Sequence, residues 1–289
     1  MGIKISKEST LRGLKEIGLL LLIVFLFNSF VLASFQVPTG SMENTVMTGD
    51  FLLVNKFKLG GRTLEMIPYL GMRLPSLRFP GFRDVQRGDV IVFEFPGQRD
   101  EKQAKEFTYY LKRCIALPGD TVQVINKVAY VNGMRAPLPK SFKFLRPNAL
   151  PKDVSDPDIF PVGAPFNADN YGPLRVPMKG DKISLTKDRI RLWKTFIERE
   201  GHTVSIDGGV VLIDGKRQTE YIVERDYLFG MGDNRDDSLD SRFWGFIPRN
   251  SVVGTPLIVY WSWSPDIPIY RIFDKLASIK WGRIGRIID

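Results

Sequence analysis

The sequence predicts a mainly β protein: an N-terminal transmembrane helix, then a β-rich core into which an irregular second lobe containing one helix is inserted. Three observations predict it. Residues 17–35 are almost wholly apolar and carry no charge. Short runs rich in β-branched and aromatic residues, bounded by Gly and Asp, recur along the rest of the chain. Between them, residues 137–177 are rich in Pro, Asn and Asp with little periodicity, too long a stretch for a simple loop in a compact domain.

The apolar stretch has about the length that spans a bilayer as a helix. Lys4, Lys7, Arg12 and Lys15 precede it, and the next basic residue is Lys56. The positive-inside rule therefore puts the N-terminus in the cytoplasm and the bulk of the chain outside, as a single-pass protein. The same stretch also reads as a secretory signal peptide with Val31-Leu32-Ala33 as its cleavage site. The position of Ser41, eight residues after Ala33, favours a retained anchor, because a reactive serine there gains from being tethered.

Beyond the anchor, strands are expected at 51–54, 90–95, 109–116, 122–125, 204–206, 210–213 and 252–261. A Gly-Asp pair introduces a strand four times, in TGDFLLV, RGDVIVF, PGDTVQV and KGDKISL, which is turn chemistry at strand entrances. The RGD at 87–89 is accordingly a turn and not an adhesion motif. VQVINKVAYVNG and VSIDGGVVLIDG both read as hairpins with a central turn and a closing Asn/Asp-Gly. A helix is expected at 186–200, from Ile190, Trp193 and Phe196 or Ile197 at helical spacing, with Gly201 as its stop. A Pro/Gly-rich insertion with apolar residues is expected at 60–81. The tail after Tyr270 mixes Arg and Lys with Ile, Phe and Trp, and reads either as a peripheral membrane contact or as a segment packed back on the core. The organisation implied is a cytoplasmic stretch 1–16, an anchor 17–35, core segments 36–136 and 204–269 around an inserted lobe 137–203, and a basic amphipathic tail 270–289.

Composition narrows the chemistry. The chain has 289 residues, 41 Lys+Arg against 32 Asp+Glu, and a net charge of +9 with no long basic run. This suits an anionic membrane surface, and no nucleic-acid motif accompanies it. One cysteine, Cys114, excludes an intrachain disulfide, and one histidine, His202, excludes a metal site built on several imidazoles. His202, placed just after a helix, reads as a surface residue. Cys114, inside an apolar strand, reads as a small buried hydrophobe.

Three polar segments remain. In VPTGSM, Gly40 lets the backbone approach a substrate carbonyl, so that the Ser41 N–H and the Thr39 hydroxyl can both donate to a developing oxyanion. In YYLKRCIALPGD, Lys112 shares a strand face with Tyr110 and Cys114; if that face is buried, desolvation lowers the lysine pKa toward what a general base requires. GDNRDDSLDSRFWG puts many charges directly after the apolar Tyr227-Leu228-Phe229, which is costly unless they pair with one another. It lacks the acidic spacing and terminal Glu of a calcium loop.

These three segments in this order, with RGDVIVFEFP between them, resemble bacterial type I signal peptidase, a Ser/Lys dyad protease family; the resemblance runs from the anchor to about Trp261. It implies a mostly β catalytic core with a membrane-associated face, and removal of signal peptides from exported preproteins at the outer side of a bacterial inner membrane, cleaving after small residues. It implies Ser41 as nucleophile, Lys112 as neutral base, oxyanion donors at Thr39 and Ser41, and Ser238 orienting the lysine. It further implies Asp233, Asp240, Arg113 and Arg242 as supporting ionic residues and Met42 as a substrate-binding residue. No metal or organic cofactor is implied; the partners are preproteins and membrane lipid, not nucleic acid, and the oligomeric state is left open. Two departures stand out: Glu43-Asn44 where the family commonly has Pro shortly after Ser-Met, and Thr39 in place of the more usual Ser. Rival readings are a self-cleaving Ser/Lys repressor, which would need a DNA-binding domain instead of the apolar segment, and a non-catalytic tethered β-domain.

Overall fold

The four Gly-Asp pairs share one geometry. In each, glycine takes a left-handed φ, +89° at Gly49, +92° at Gly88, +86° at Gly119 and +89° at Gly180. The following aspartate accepts the backbone N–H of the residue three before it: Met47 by Asp50, Gln86 by Asp89, Leu117 by Asp120 and Met178 by Asp181. Each carboxylate also meets an arginine, Asp50 with Arg283, Asp89 with Arg83, Asp120 with Arg87 and Asp181 with Arg175. Glycine tolerates the conformation and aspartate locks it, so the turns expected from sequence are charge-pinned corners.

The computed structural model describes residues 7–61, 79–139, 142, 144–187 and 189–288. Most of the insertion expected at 60–81 lies outside them. In chain order the elements are helix α1 (Lys7–Phe30), strands β1 (Leu32–Gln36), β2 (Asp50–Asn55), β3 (Val90–Glu94), β4 (Tyr109–Ala116), β5 (Thr121–Ile125), β6 (Val128–Val131), β7 (Met134–Arg135), β8 (Tyr171–Arg175) and β9 (Lys182–Ser184). Helix α2 (Ile190–Arg199) follows, then β10 (Val204–Asp207), β11 (Val210–Ile213), β12 (Lys216–Arg217), β13 (Glu220–Ile222) and β14 (Tyr227–Met231). The chain ends with α3 (Ser241–Trp244), β15 (Ile247–Pro248), β16 (Val252–Ser262) and α4 (Ile272–Ala277). The mainly β expectation holds.

The principal sheet is antiparallel and has seven strands in the order β1-β2-β16-β3-β4-β14-β15. A four-stranded sheet β7-β6-β5-β8 and the hairpin sheet β10-β11-β12 pack with α2 and β14 around one large apolar cluster. Both hairpins form as expected. The two-residue loops 126–127, 132–133, 208–209 and 214–215 all have positive φ at both positions, matching the right-handed strand twist. Helix α2 is shorter than the 186–200 expected, and Gly201 follows its end with φ +106°.

One expectation needs correction. The apolar stretch 17–35 is not one helix: α1 stops at Phe30, and Leu32–Gln36 instead pairs in register with β2, Leu32 opposite Asn55 through Gln36 opposite Phe51. Sheet hydrogen bonds there replace helical ones. Among the described residues no helix is long and apolar enough to cross a membrane. Lys7, Glu8, Arg12, Lys15 and Glu16 occupy the first turns of α1, and the part from Ile17 to Phe30 rises only about 21 Å against a hydrocarbon core of about 30 Å. Its side chains are nonetheless largely exposed, Leu19, Leu20 and Ile23 among them. His202 lies at the surface after α2 as expected, its two ring nitrogens 2.6 and 2.9 Å from Asp214 and Glu224.

Of the two readings of the tail, packing on the core is what the fold shows. Val259 N–H donates to Arg286 O, Gly285 N–H to Val259 O and Ile288 N–H to Leu257 O, so the tail lies along β16. Tyr270, Phe273 and Trp281 remain exposed. The irregular part of the second lobe is held by side chain to backbone bonds in place of strand pairing. Buried Asn167 donates to Pro151 O and Val154 O, and the Asp236 carboxylate, whose side chain is only 2% exposed, accepts from Leu145 N–H and Arg146 N–H.

Candidate active site

Three elements of the principal sheet meet at one cleft. Val37 N–H donates to Asp50 O and Gly49 N–H to Val37 O, closing the neck of a loop, residues 38–48, that carries Ser41. Beneath it, Met42, Val46, Leu52 and Val92 form a buried apolar floor. Lys112 lies on β4 opposite Ile91 of β3, and β14 ends with Met231 opposite Arg113. The turn that follows β14, beginning at Gly232, is thereby delivered beside Lys112.

Lys112 Nζ and Ser41 Oγ are 2.7 Å apart. Lys112 is only 3% exposed, and burial, the largest influence, lowers its pKa to about 8; Asp240 pulls it up, Arg242 pushes it down and Asp233 pulls it up again. The buried-face condition set by strand periodicity is met, and Tyr110 flanks the amine, its ring centre 5.8 Å from Nζ. An amine of this kind is substantially neutral at mildly alkaline pH and can accept the Ser41 proton.

Around the pair lies a buried ionic frame. Asp233 receives two hydrogen bonds from Arg113, at 2.9 and 2.8 Å, and one from the Thr45 hydroxyl at 2.5 Å. Asp240 receives two from Arg242, both 2.8 Å, and one from Gly232 N–H at 3.1 Å. Burial alone would raise the Asp240 pKa, but the charge and hydrogen bonds of Arg242 outweigh it and hold the group below the usual carboxylate range. Arg242 also donates to Ala168 O and Arg235 O, tying the turn to the second lobe. The pairing expected within the turn is made only by Asp240 and Arg242; Asp233 takes its arginine from β4, and buried Arg235 donates to Gly232 O while, among the described residues, its Nη1 has no hydrogen-bond partner.

The remaining expected residues fall as follows. Thr39 is exposed on the cleft wall, and Met42 is buried in its floor, its sulfur accepting Asp233 N–H at 3.4 Å. Ser238 is buried next to Gly232, but among the described residues its Oγ has no hydrogen-bond partner, so the bond orienting Lys112 is not made. The amine points to Ser41 instead. Cys114 is fully buried, donates weakly to Ala116 O, and has its pKa pushed far up by burial, which makes it inert as a nucleophile.

Sequence reasoning missed Asn234. Its N–H donates to Ser41 O and its side-chain amide to Gly40 O and, at 3.4 Å, to Glu43, so it grips the nucleophile loop from the side of the GDNR turn. Its place between Asp233 and Arg235 was the available signal. Thr45 and Arg283 were missed as well, and nothing in their spacing marks them; Asp50 was legible only as the Asp of a Gly-Asp turn.

The cleft itself, about 290 Å³, runs past Phe35, Pro38, Tyr110, Leu111 and Leu239 to the Ser41–Lys112 pair and is mostly apolar.

Residues 10–261 match the family described as signal peptidase, peptidase S26. The signal peptidase I of Buchnera aphidicola subsp. Schizaphis graminum is 29% identical over 92% of this chain and 82% of its own length. That of Helicobacter pylori strain J99 is 30% identical over 93% of this chain and 90% of its own length. A crystal structure of a signal peptidase I from Enterococcus faecalis shares 20% identity over 60% of this chain and 97% of that one, with a TM-score of 0.26. By the extent of the family match and by these relatives, the chain belongs to the signal peptidase family, peptidase S26.

Proposed function

We propose that this serine endopeptidase removes signal peptides from exported preproteins with Ser41 as nucleophile and Lys112 as general base. The 2.7 Å separation of Ser41 Oγ from the buried Lys112 amine carries the assignment. Neutral Lys112 takes the Ser41 proton as Oγ attacks the carbonyl after a small residue; the ammonium formed then protonates the leaving amine. Negative charge developing on the carbonyl oxygen is met by Ser41 N–H and the Thr39 hydroxyl. Water, activated by the same lysine, hydrolyses the acyl-enzyme. Met42 supports the floor beneath the small residue, Ser238 packs beside Gly232, and the Arg113–Asp233 and Arg242–Asp240 pairs fix the turn. A cleavage assay on a purified preprotein tests this: wild type cleaves, and turnover by Ser41→Ala or Lys112→Met close to wild type would overturn it.

The enzyme acts at the outer face of a bacterial inner membrane, with its N-terminus in the cytoplasm. In support, the exposed apolar side chains of α1 lead through Val31 directly into β1, which runs into the cleft, and the basic residues cluster ahead of the helix. The exposed Tyr270, Phe273 and Trp281 of the tail provide a second apolar surface for lipid. Flotation with anionic vesicles of the full chain, and of chains lacking residues 1–30 or 270–289, measures each contribution. Loss of α1 should release most of the protein; no change would place the chain elsewhere.

A further inference from the structure

The tail after β16 reaches the active-site loop through three cations at three-residue spacing. Lys280 Nζ donates to Thr48 O at 3.1 Å, Arg283 Nη2 to Thr45 O at 3.2 Å, and Arg286 Nη2 to Asn44 O at 2.6 Å. Each thus takes a backbone carbonyl from the second half of the loop that carries Ser41. Arg283 is also buried against Asp50, which is fully buried, with Nη2 2.5 Å and Nε 3.4 Å from its two oxygens. Asp50 accepts Ser262 Oγ–H and Met47 N–H as well, so one carboxylate joins the tail, the end of β16 and the loop. From Thr45 the chain of bonds continues through its hydroxyl to Asp233 and on to Arg113, next to Lys112 in β4.

We infer that Arg283, assisted by Lys280 and Arg286, is a positioning residue that holds the Ser41 loop at its working distance from Lys112. The loop needs such a hold. Asn44 turns the loop at a left-handed φ of +74°, which asparagine tolerates, and the loop's polar ties run through Asn234 on one side, the Thr45 hydroxyl to Asp233, and these cations on the other. Asn234 grips the residues at and before the nucleophile; the tail grips those after it. Main-chain bonds from residues 285, 286 and 288 to β16 anchor the tail independently of the three side chains. Side-chain truncation therefore releases the loop while leaving the tail in place. Because a misplacement of about 1 Å can cost roughly a hundredfold in rate, the effect falls on kcat.

This inference rests on Ser41 being the nucleophile, so Ser41→Ala is assayed alongside; cleavage by that variant would overturn the dyad and the positioning role with it. Steady-state cleavage of a purified preprotein by the full chain in detergent is measured for Arg283→Ala, Arg283→Lys, Arg286→Ala and Lys280→Ala, together with thermal unfolding and the pH profile. Arg283→Ala is expected to lower kcat about tenfold or more with KM within about twofold, on the scale of a loop displaced by a fraction of an ångström. Arg283→Lys should recover part of that loss. Arg286 is exposed, so Arg286→Ala should fold normally and still lose about threefold in kcat. The acidic limb of the profile should stay where Lys112 sets it. If Arg283→Ala fails to fold, Arg286→Ala and Arg283→Lys decide the matter. Unchanged kcat in both, or losses appearing only in melting temperature, would make the tail a structural brace and overturn the inference.

Discussion

Ser41 Oγ lies 2.7 Å from Lys112 Nζ although the two residues are 71 positions apart in sequence. A hydroxyl and an amine at that distance act as one unit, so removing either should cost as much as removing both. Ser41→Ala, Lys112→Met and the double variant are expected to show the same loss of preprotein cleavage with unchanged circular dichroism. A further large drop in the double variant would show that the two act separately.

Lys112 is depressed to about 8, chiefly by burial, and only its neutral form accepts a proton. The rate should therefore rise with pH through about 8 and level off above it. The linked stability has the opposite origin. The unfolded lysine titrates near 10.4, so the native state pays for burying the charge below pH 8, and that penalty disappears as pH rises from 8 toward 10.4. Lys112→Met should melt higher than wild type at pH 7, with the difference shrinking at pH 10. A difference independent of pH would remove the buried amine from the explanation.

Gly232 has no room for a side chain. A Cβ there would overlap Ser238 Oγ and come within 2.5 Å of Ser41 O. Ser238 can rotate, but Ser41 O cannot move without shifting the nucleophile. Gly232→Ala should fold and lose roughly a hundredfold in kcat; near-normal kcat would mean that the turn and the loop separate at no cost.

Asp233 is fully buried and takes both arms of the Arg113 guanidinium. Asp233→Asn leaves that cation inside the protein without its counter-charge, a situation that typically costs about 3–5 kcal/mol. Urea denaturation should show a loss of this order, and Arg113→Met combined with Asp233→Asn should recover part of it. If the second substitution instead adds to the loss, the pair is not coupled in the way its geometry indicates.

His202 has its pKa raised, first by the hydrogen bond to Asp214, against some desolvation, and then by Glu224. A raised histidine contributes stability that is complete below its unfolded pKa of about 6.5 and is lost as pH rises through the folded value. Asp214 sits in the turn between β11 and β12, so amide exchange in that hairpin sheet should quicken across this window beyond the intrinsic rate increase. His202→Gln should abolish the pH dependence; its survival in that variant would assign it to another group.

Much of the local structure could be read directly from residues, because it depends on short-range chemistry. Strand β4 and strand β11 lie at the expected bounds, and all four Gly-Asp corners form, since a left-handed glycine and a carboxylate three residues from its N–H partner are local facts. The presence of Ser41, Lys112 and the 232–245 turn was equally legible as motif. Tertiary structure decided the rest. The last four residues of the apolar N-terminal stretch, Leu32 to Phe35, became part of β1 because β2 offered their backbone a partner, which periodicity does not encode. Lys112 became a low-pKa amine because packing on every side of β4 removes water from it. Whether Ser238 reaches Lys112 is likewise a tertiary matter: its Oγ lies buried by Gly232 without a partner among the described residues, and the amine meets Ser41. The hold of Arg283 on Asp50 and Thr45 joins residues more than 230 positions apart, and only the folding of the tail along β16 brings that charge to the nucleophile loop.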